Sequence, residues 1–99
     1  MTMWERMKRY INIKHQVGDV INRKDMLYYL YQGPPPKVGT YGTGGDNYRR
    51  CLEKIGFIEK VKRGEYRILH QIKEEVTSAQ IKDLAYGDSW RQWFINIKV

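Results

Sequence analysis

Apolar residues recur at helical spacing in the first segment of the chain. Trp4, Met7 and Ile11 share one face of a helix, and the basic residues of the segment lie mostly on the others. The pattern predicts a first helix from Trp4 to about His15. Gly18 then breaks the pattern, and the short apolar run after it is long enough only for a brief strand at residues 20–21.

A second helix is predicted from Arg23 to about Gln32. Asn22 is a favourable N-cap, and Asp25 stands three residues later, where the acidic partner of a capping box is expected. Gly33 and three consecutive prolines then end the helix. The apolar face of this helix consists of Met26, Leu27 and Leu30.

The connection from Gly33 to Gly45 contains five of the nine glycines, and connections of this length are usually functional or mobile. Its glycines either let the chain turn closely past DNA or a partner, or form a plain linker. Asp46 is the predicted N-cap of a third helix that ends at Gly56. The apolar face of that helix consists of Tyr48, Cys51, Leu52 and Ile55, and the opposite, mostly basic face carries Arg49, Arg50 and Glu53, flanked by Asn47 and Lys54.

The apolar period changes from helical to strand-like after Gly56. Residues 57–61 (FIEKV) and 66–72 (YRILHQI) are predicted strands, and Gly64 supplies the positive φ of a tight hairpin turn. Alternation along the second strand predicts that His70 points inward. The basic residues near the tip of this hairpin are Lys60, Lys62, Arg63 and Arg67.

A fourth helix is predicted to begin at a Thr77 or Ser78 cap and to stop at Gly87, with Ile81, Leu84 and Ala85 as its apolar stripe. The last segment, DSWRQWFINIKV, is interpreted as a helical turn that becomes extended. Its aromatic residues and the first helix supply a candidate interface, either a dimer or partner surface or the completion of the monomer's own core. That candidate interface consists of Trp4, Trp90, Trp93 and Phe94.

Charge is distributed unevenly along the chain. The 99 residues fit one domain, and the net charge is +7. Residues 1–67 contain 14 Lys and Arg against 7 Asp and Glu, whereas residues 68–99 contain 4 of each sign. A basic excess confined to one part of the chain favours a polyanionic ligand, with a merely solubilising surface as the alternative.

The order of helix, short strand, helix, loop, helix and hairpin resembles that of winged helix-turn-helix domains. The most specific piece is the run from a basic helix through LEKIGFI into a short hairpin. The resemblance covers residues 4–72 and leaves 73–99 as a C-terminal extension for dimerisation or partner binding. It implies an α+β fold of three helices and a two-stranded wing, with a helical extension. The long connection before the third helix departs from the family, which usually has a short turn there.

The resemblance also implies a division of labour among the basic residues. The third helix would lie in the major groove, and the wing would follow the backbone or minor groove. Arginine and asparagine read base edges, whereas lysine mainly attracts phosphate. The helix candidates are Asn47, Arg49, Arg50 and Lys54; the wing candidates are Lys60, Lys62, Arg63 and Arg67.

Signals for other functions are weak. GTGGDNYRR lacks the lysine and hydroxyl residue that end a phosphate-binding P-loop. Cys51 is the only cysteine, and the two histidines are isolated, so neither a disulfide, a metal site, a cofactor nor an enzyme is expected. No signal peptide or membrane span is expected either, which predicts a cytoplasmic protein.

Together these patterns predict a double-stranded-DNA-binding protein, a transcriptional regulator that acts as a homodimer. The alternative from a different class is a protein-interaction module. That module would hold an acidic protein partner through the proline- and glycine-rich loop and the aromatic C-terminus.

Overall fold

The computed structural model describes the backbone of residues 1–36 and 44–91, and the side chains of residues 1–36 and 45–87. Most of the glycine-rich connection therefore lies outside the described residues. So do Trp93, Phe94 and the side chain of Trp90, so the predicted aromatic interface at the C-terminus is not tested.

Within the described residues the chain has the predicted α+β composition, with four helices and a three-stranded antiparallel sheet. The helices are α1 (Met3–Arg9), α2 (Arg23–Tyr31), α3 (Gly44–Lys54) and α4 (Ser78–Arg91), and a π-helical segment, Tyr10–Lys14, continues α1. The strands are β1 (Val20–Asn22), β2 (Ile58–Lys62) and β3 (Glu65–Ile68).

Side-chain caps are present at two of the helix starts where the sequence predicts one. Asn22 caps α2 as predicted, because its side-chain oxygen accepts the first free amides of the helix at 2.8 and 3.2 Å. Asp25 has a different role from the one predicted: its Oδ2 accepts a hydrogen bond from the Tyr10 hydroxyl at 2.7 Å. Thr77 begins α4, where its side chain and that of Gln80 each accept the other's backbone amide in a capping box.

Two helices end on a residue in the left-handed conformation. Gly56 has φ 86°, and the N–H of Phe57 donates to the Leu52 carbonyl at 2.9 Å, so α3 ends where predicted in a Schellman motif. α2 ends one residue earlier than predicted. Its left-handed residue is Gln32, with φ 56°, because the chain turns before Gly33 rather than at it.

The start of α3 corrects the prediction for Asp46. α3 begins at Gly44, so Asp46 lies within its first turn rather than at the N-cap, and is only 2% exposed. Gly45 has a packing role: a Cβ there would lie 2.7 Å from Leu30 Cδ1. A side chain at position 45 would therefore have to displace the Leu30 methyl group, and glycine lets α3 approach α2 without that displacement.

β1 adds a third strand to the predicted two-stranded hairpin. β3 is central and pairs antiparallel with both neighbours, in the order β1-β3-β2. Arg67 in β3 stands opposite Val20 on one side and Glu59 on the other. Gly64 makes the hairpin turn with φ 78°, as predicted. The register puts Ile21, Tyr66 and Ile68 on the buried face of the sheet.

The second strand of the hairpin is shorter than its apolar alternation suggests. β3 ends at Ile68, and the chain then leaves the sheet. The prediction that His70 points inward is wrong, because the residue is exposed, with its ring 5.4 Å from that of Phe57. Apolar and polar residues still alternate after Ile68, but within the described residues neither neighbouring strand pairs with β3 beyond Ile68.

Three side chains from α1 and its π-helical continuation, spaced four residues apart, donate hydrogen bonds to the backbone of the segment at residues 72–76, which follows the sheet. The hydrogen bonds are Trp4 Nε1 to the Val76 carbonyl at 2.8 Å, Lys8 Nζ to the Glu74 carbonyl at 2.7 Å and Asn12 Nδ2 to the Ile72 carbonyl at 2.6 Å. Trp4 is therefore a core residue, 5% exposed, which agrees with the second of its two predicted roles, completion of the monomer's own core.

α4 completes the core rather than standing apart from it. Ile81 and Ala85 are buried in the cluster that α1, α2, α3 and the sheet enclose. Leu84, predicted as part of the apolar stripe, is 46% exposed, so the buried stripe is narrower than predicted. Gly87 interrupts the helix as predicted, with φ 59° and ψ −137°, and helical backbone resumes to Arg91.

Candidate nucleic-acid interface

A buried cluster of charges joins α2 to α3. Asp46 Oδ1 accepts hydrogen bonds from Arg23 Nε at 2.9 Å and Arg49 Nε at 2.8 Å, and its Oδ2 lies 3.4 Å from Arg50 Nη2. Burial by itself raises the pKa of the Asp46 carboxyl, but the hydrogen bonds from Arg23 and Arg49 outweigh burial and lower the pKa to about 2. The carboxylate is therefore ionised at neutral pH.

Arg49 corrects the predicted reading face of α3. It is 8% exposed, and its Nη1 donates to Glu53 Oε1 and to the Tyr66 hydroxyl, each at 2.9 Å. Its guanidinium also lies 4.8 Å from the centre of the Tyr66 ring. Asp46 and Glu53 stand three positions before it and four after it, so both carboxylates reach it on the helix surface. Arg49 therefore holds the hairpin against α3 and does not face solvent.

A basic groove lies between the start of α2 and the β2–β3 hairpin. Its volume is about 650 Å³. The basic groove is lined by Asn22, Arg23, Lys24, Lys60, Arg63, Gly64 and Tyr66. Four of these side chains are cationic, and in the described part of the chain no acidic residue lines the groove. Such a concentration of one sign of charge attracts anions.

Backbone geometry fixes the two walls of the basic groove to each other. The Arg23 amide donates to the Gly64 carbonyl at 2.8 Å, which ties the first residue of α2 to the hairpin turn. Lys60 pairs with Tyr66 in the sheet register and lies on the same face of β2 as the buried Ile58, so it lies on the α2 side of the hairpin. The groove cations thus come from two elements, the start of α2 and the hairpin, whose relative position is fixed by a backbone hydrogen bond.

The cations at the start of α2 are in an unfavourable place for helix stability. Arg23 and Lys24 occupy the first two positions of the helix, where the macrodipole disfavours positive charge. The first amides of the helix are already bonded to Gly64 and Asn22, so side chains rather than helix amides would contact an anion. These two residues are missing from the sequence-based candidates. Basic residues directly after an N-cap were the signal that could have revealed them.

Only some of the predicted DNA contacts reach the basic groove. Lys60 and Arg63 line it. Arg50, with 53% of its side chain exposed, lies beside it because Asp46 contacts both Arg50 and Arg23. Arg50 of α3 and Arg23 of the groove are therefore neighbours through their common partner, Asp46.

Four other predicted contacts lie elsewhere or are neutralised. Asn47 is half-buried on α3, and Lys54 Nζ lies 5.4 Å from the Tyr86 ring, toward α4. Lys62 is exposed but lies 3.5 Å from Glu65. Arg67 lies 3.4 Å from Glu59 on the sheet face opposite the basic groove, so it is not a groove residue.

The described residues do not form a recognisable catalytic or metal centre. Cys51 is buried; burial raises the pKa of its thiol, and a hydrogen bond with Tyr86 only partly opposes that effect. Among the residues in view, no three of His, Cys, Asp and Glu lie close enough to hold a metal ion. Over the same residues, no helix has the length and apolarity to span a membrane.

No protein-family model, curated protein or solved structure matches the chain.

Proposed function

We propose that this chain binds double-stranded DNA, with the basic groove seated on backbone phosphates. One observation carries the proposal: four cationic side chains from two separate elements converge on one groove, and among the described residues only one of the four, Arg23, has an ion pair, with Asp46. Phosphate contacts supply much of the affinity of DNA-binding proteins and fix their register on the duplex.

The arrangement that fits this role is a winged helix-turn-helix. Support comes from the order of the elements, from the packing of α3 against α2 at Gly45, and from the pairing of β1 with the hairpin. In this arrangement the β2–β3 hairpin is the wing, and α3 approaches the major groove. Arg50 then replaces Arg49 as the arginine that reads base edges.

A DNA-binding module of this size fits the predicted role in transcription regulation, with residues 73–99 contributing to a homodimer. The competing proposal is a module that binds an acidic protein through the proline- and glycine-rich loop and the aromatic C-terminus. Most of that loop, together with Trp93 and Phe94, lies outside the described residues, so the acidic partner is an alternative outcome of the experiment.

The test is fluorescence anisotropy of a labelled duplex with two double variants of equal charge. Lys24→Ala with Arg63→Ala removes two groove cations. Arg67→Ala with Lys73→Ala removes two exposed cations outside the groove. We expect the groove variant to bind about tenfold or more weakly and the control to stay within about threefold of wild type.

Equal losses in the two variants would contradict the groove assignment. Failure of the wild-type protein to bind duplex at low salt would contradict DNA binding itself and favour the acidic protein partner.

A further inference from the structure

A second groove lies between α1 and the C-terminal half of α2. Its volume is about 460 Å³, and it is lined by Met1, Arg6, Arg9, Tyr28, Tyr29 and Gln32. Two of these residues are arginines and two are tyrosines, and no acidic residue of the described chain lines this tyrosine groove. The tyrosine groove thus has two aromatic rings beside its two guanidinium groups, whereas the basic groove has one tyrosine among four cations.

The two tyrosines have different surroundings. Tyr29 is half-buried; its ring lies 5.2 Å from that of Tyr10 and beneath Lys14 Nζ at 5.4 Å. Tyr28 is 57% exposed. The ring of Tyr28 is therefore the one available to stack on a ligand in the tyrosine groove.

The two arginines also differ. Arg6 is fixed by a hydrogen bond from its Nη1 to the Leu30 carbonyl at 3.0 Å. Arg9 is exposed beside the groove and has no ion pair within the described residues. An aromatic face next to a solvent-exposed guanidinium matches a nucleotide, in which a base and a phosphate lie side by side.

One face of α2 carries a residue of each groove. Lys24 lines the basic groove, and Tyr28, one helical turn later on the same face of α2, lines the tyrosine groove. Asp25 is the only acidic residue of α2, and its Oδ2 accepts the Tyr10 hydroxyl. A strand that leaves the basic groove along α2 would therefore reach Tyr28 within about one helical turn.

We propose that the tyrosine groove binds unpaired nucleotides that flank the duplex, so that the preferred ligand is duplex DNA with a single-stranded extension. This inference rests on the proposed duplex binding and adds a second site to it. An unpaired base stacks on Tyr28, and Arg9 contacts the adjoining phosphate. Base-paired DNA offers no free base face along its length, so Tyr28 distinguishes the two kinds of ligand.

The test compares a blunt duplex with the same duplex carrying a thymidine extension of about six nucleotides on either the 5′ or the 3′ end. We expect wild-type protein to bind one of the extended probes about fivefold or more tightly than the blunt probe. Tyr28→Ala should abolish that preference and leave blunt-duplex affinity unchanged. Tyr28→Phe keeps the ring and should keep the preference, and Arg9→Ala should reduce it.

Equal binding of blunt and extended probes by the wild-type protein would overturn the inference. So would a preference that survives Tyr28→Ala. The groove variant Lys24→Ala with Arg63→Ala separates the two proposals, because it should weaken both probes. Binding of extended but not blunt DNA, with sensitivity to Tyr28→Ala, would keep the unpaired-nucleotide site and contradict duplex binding.

Discussion

Three arginines meet one carboxylate at Asp46. Two of them, Arg23 and Arg49, bind the same oxygen, and Arg50 lies near the other. This arrangement neutralises much of the positive charge that the α3 sequence displays. The ion pair also fixes the Nε end of the Arg23 guanidinium, and the Arg23 side chain, at the edge of the basic groove, is 35% exposed.

Asp46→Asn should destabilise the fold in a pH-dependent way. The pKa of Asp46 falls from 3.8 to about 2 on folding, so its ion pairs contribute stability above about pH 4 and lose it as the pH falls toward 2. The variant should lose about 2 kcal/mol of unfolding free energy at pH 7, and the difference from wild type should shrink between pH 4 and 2. Urea unfolding across that range measures both.

Glu75→Gln makes the same chemical change at an exposed position and should have little effect at any pH. A deficit for Asp46→Asn that is constant from pH 7 to pH 2 would contradict the role of the ionised carboxylate.

The different exposure of Arg49 and Arg50 shows what residue spacing can and cannot predict about side-chain burial. Both lie on the polar side of the helical wheel, which is why both were predicted to face DNA. Acidic residues at positions −3 and +4 enclose Arg49, and the hairpin then buries it under Tyr66. The spacing of the acids is visible in the sequence. The hairpin contact is not, because it joins residues 17 positions apart.

At the scale of elements, local signals predicted boundaries well. The Asn22 and Gly56 caps were predicted from short-range chemistry, and Thr77 is one of the two residues predicted as the cap of α4. Non-local pairing was not predictable in the same way. β1 contains only three residues, and nothing in their pattern specifies β3 as their partner. The prediction for His70 failed for the same reason: the apolar alternation continues past Ile68, but the pairing of β3 does not.

The segment after β3 shows how side chains can replace strand pairing. Asn12 both donates to the Ile72 carbonyl at 2.6 Å and accepts the Ile72 amide at 2.9 Å. Ile72 is 2% exposed, so these backbone groups have little access to water. The alignment of this segment along α1 thus depends on a few polar side chains.

Asn12→Ala should therefore cost about 1 to 3 kcal/mol of unfolding free energy, because it leaves a buried amide and carbonyl without partners. Ile13→Ala, at a neighbouring position that is 68% exposed, is the matched control and should change stability by less than about 0.5 kcal/mol. Urea denaturation of the two variants makes the comparison. Equal stability of both variants would contradict the structural role of Asn12.

At the scale of the whole molecule, folding redistributes the basic excess of residues 1–67. Lys8 is buried against the Glu74 carbonyl, Arg49 lies in the ion cluster, and Arg67 pairs with Glu59. What remains concentrated is the basic groove, with Arg50 at its edge. Composition predicted binding of a polyanion, which stays a prediction, and the place where the basic side chains collect could not be found without knowing which charges pair in the fold.

The most direct test of the central claim is the salt dependence of duplex binding. If the basic groove neutralises phosphates, log affinity should fall linearly with log salt concentration, by about 0.9 for each phosphate contact. Lys24→Ala with Arg63→Ala should then reduce the slope by about 2, whereas Arg67→Ala with Lys73→Ala should leave it unchanged. A slope that the groove variant does not alter, or that both variants reduce equally, would show that the basic groove is not the DNA-binding surface.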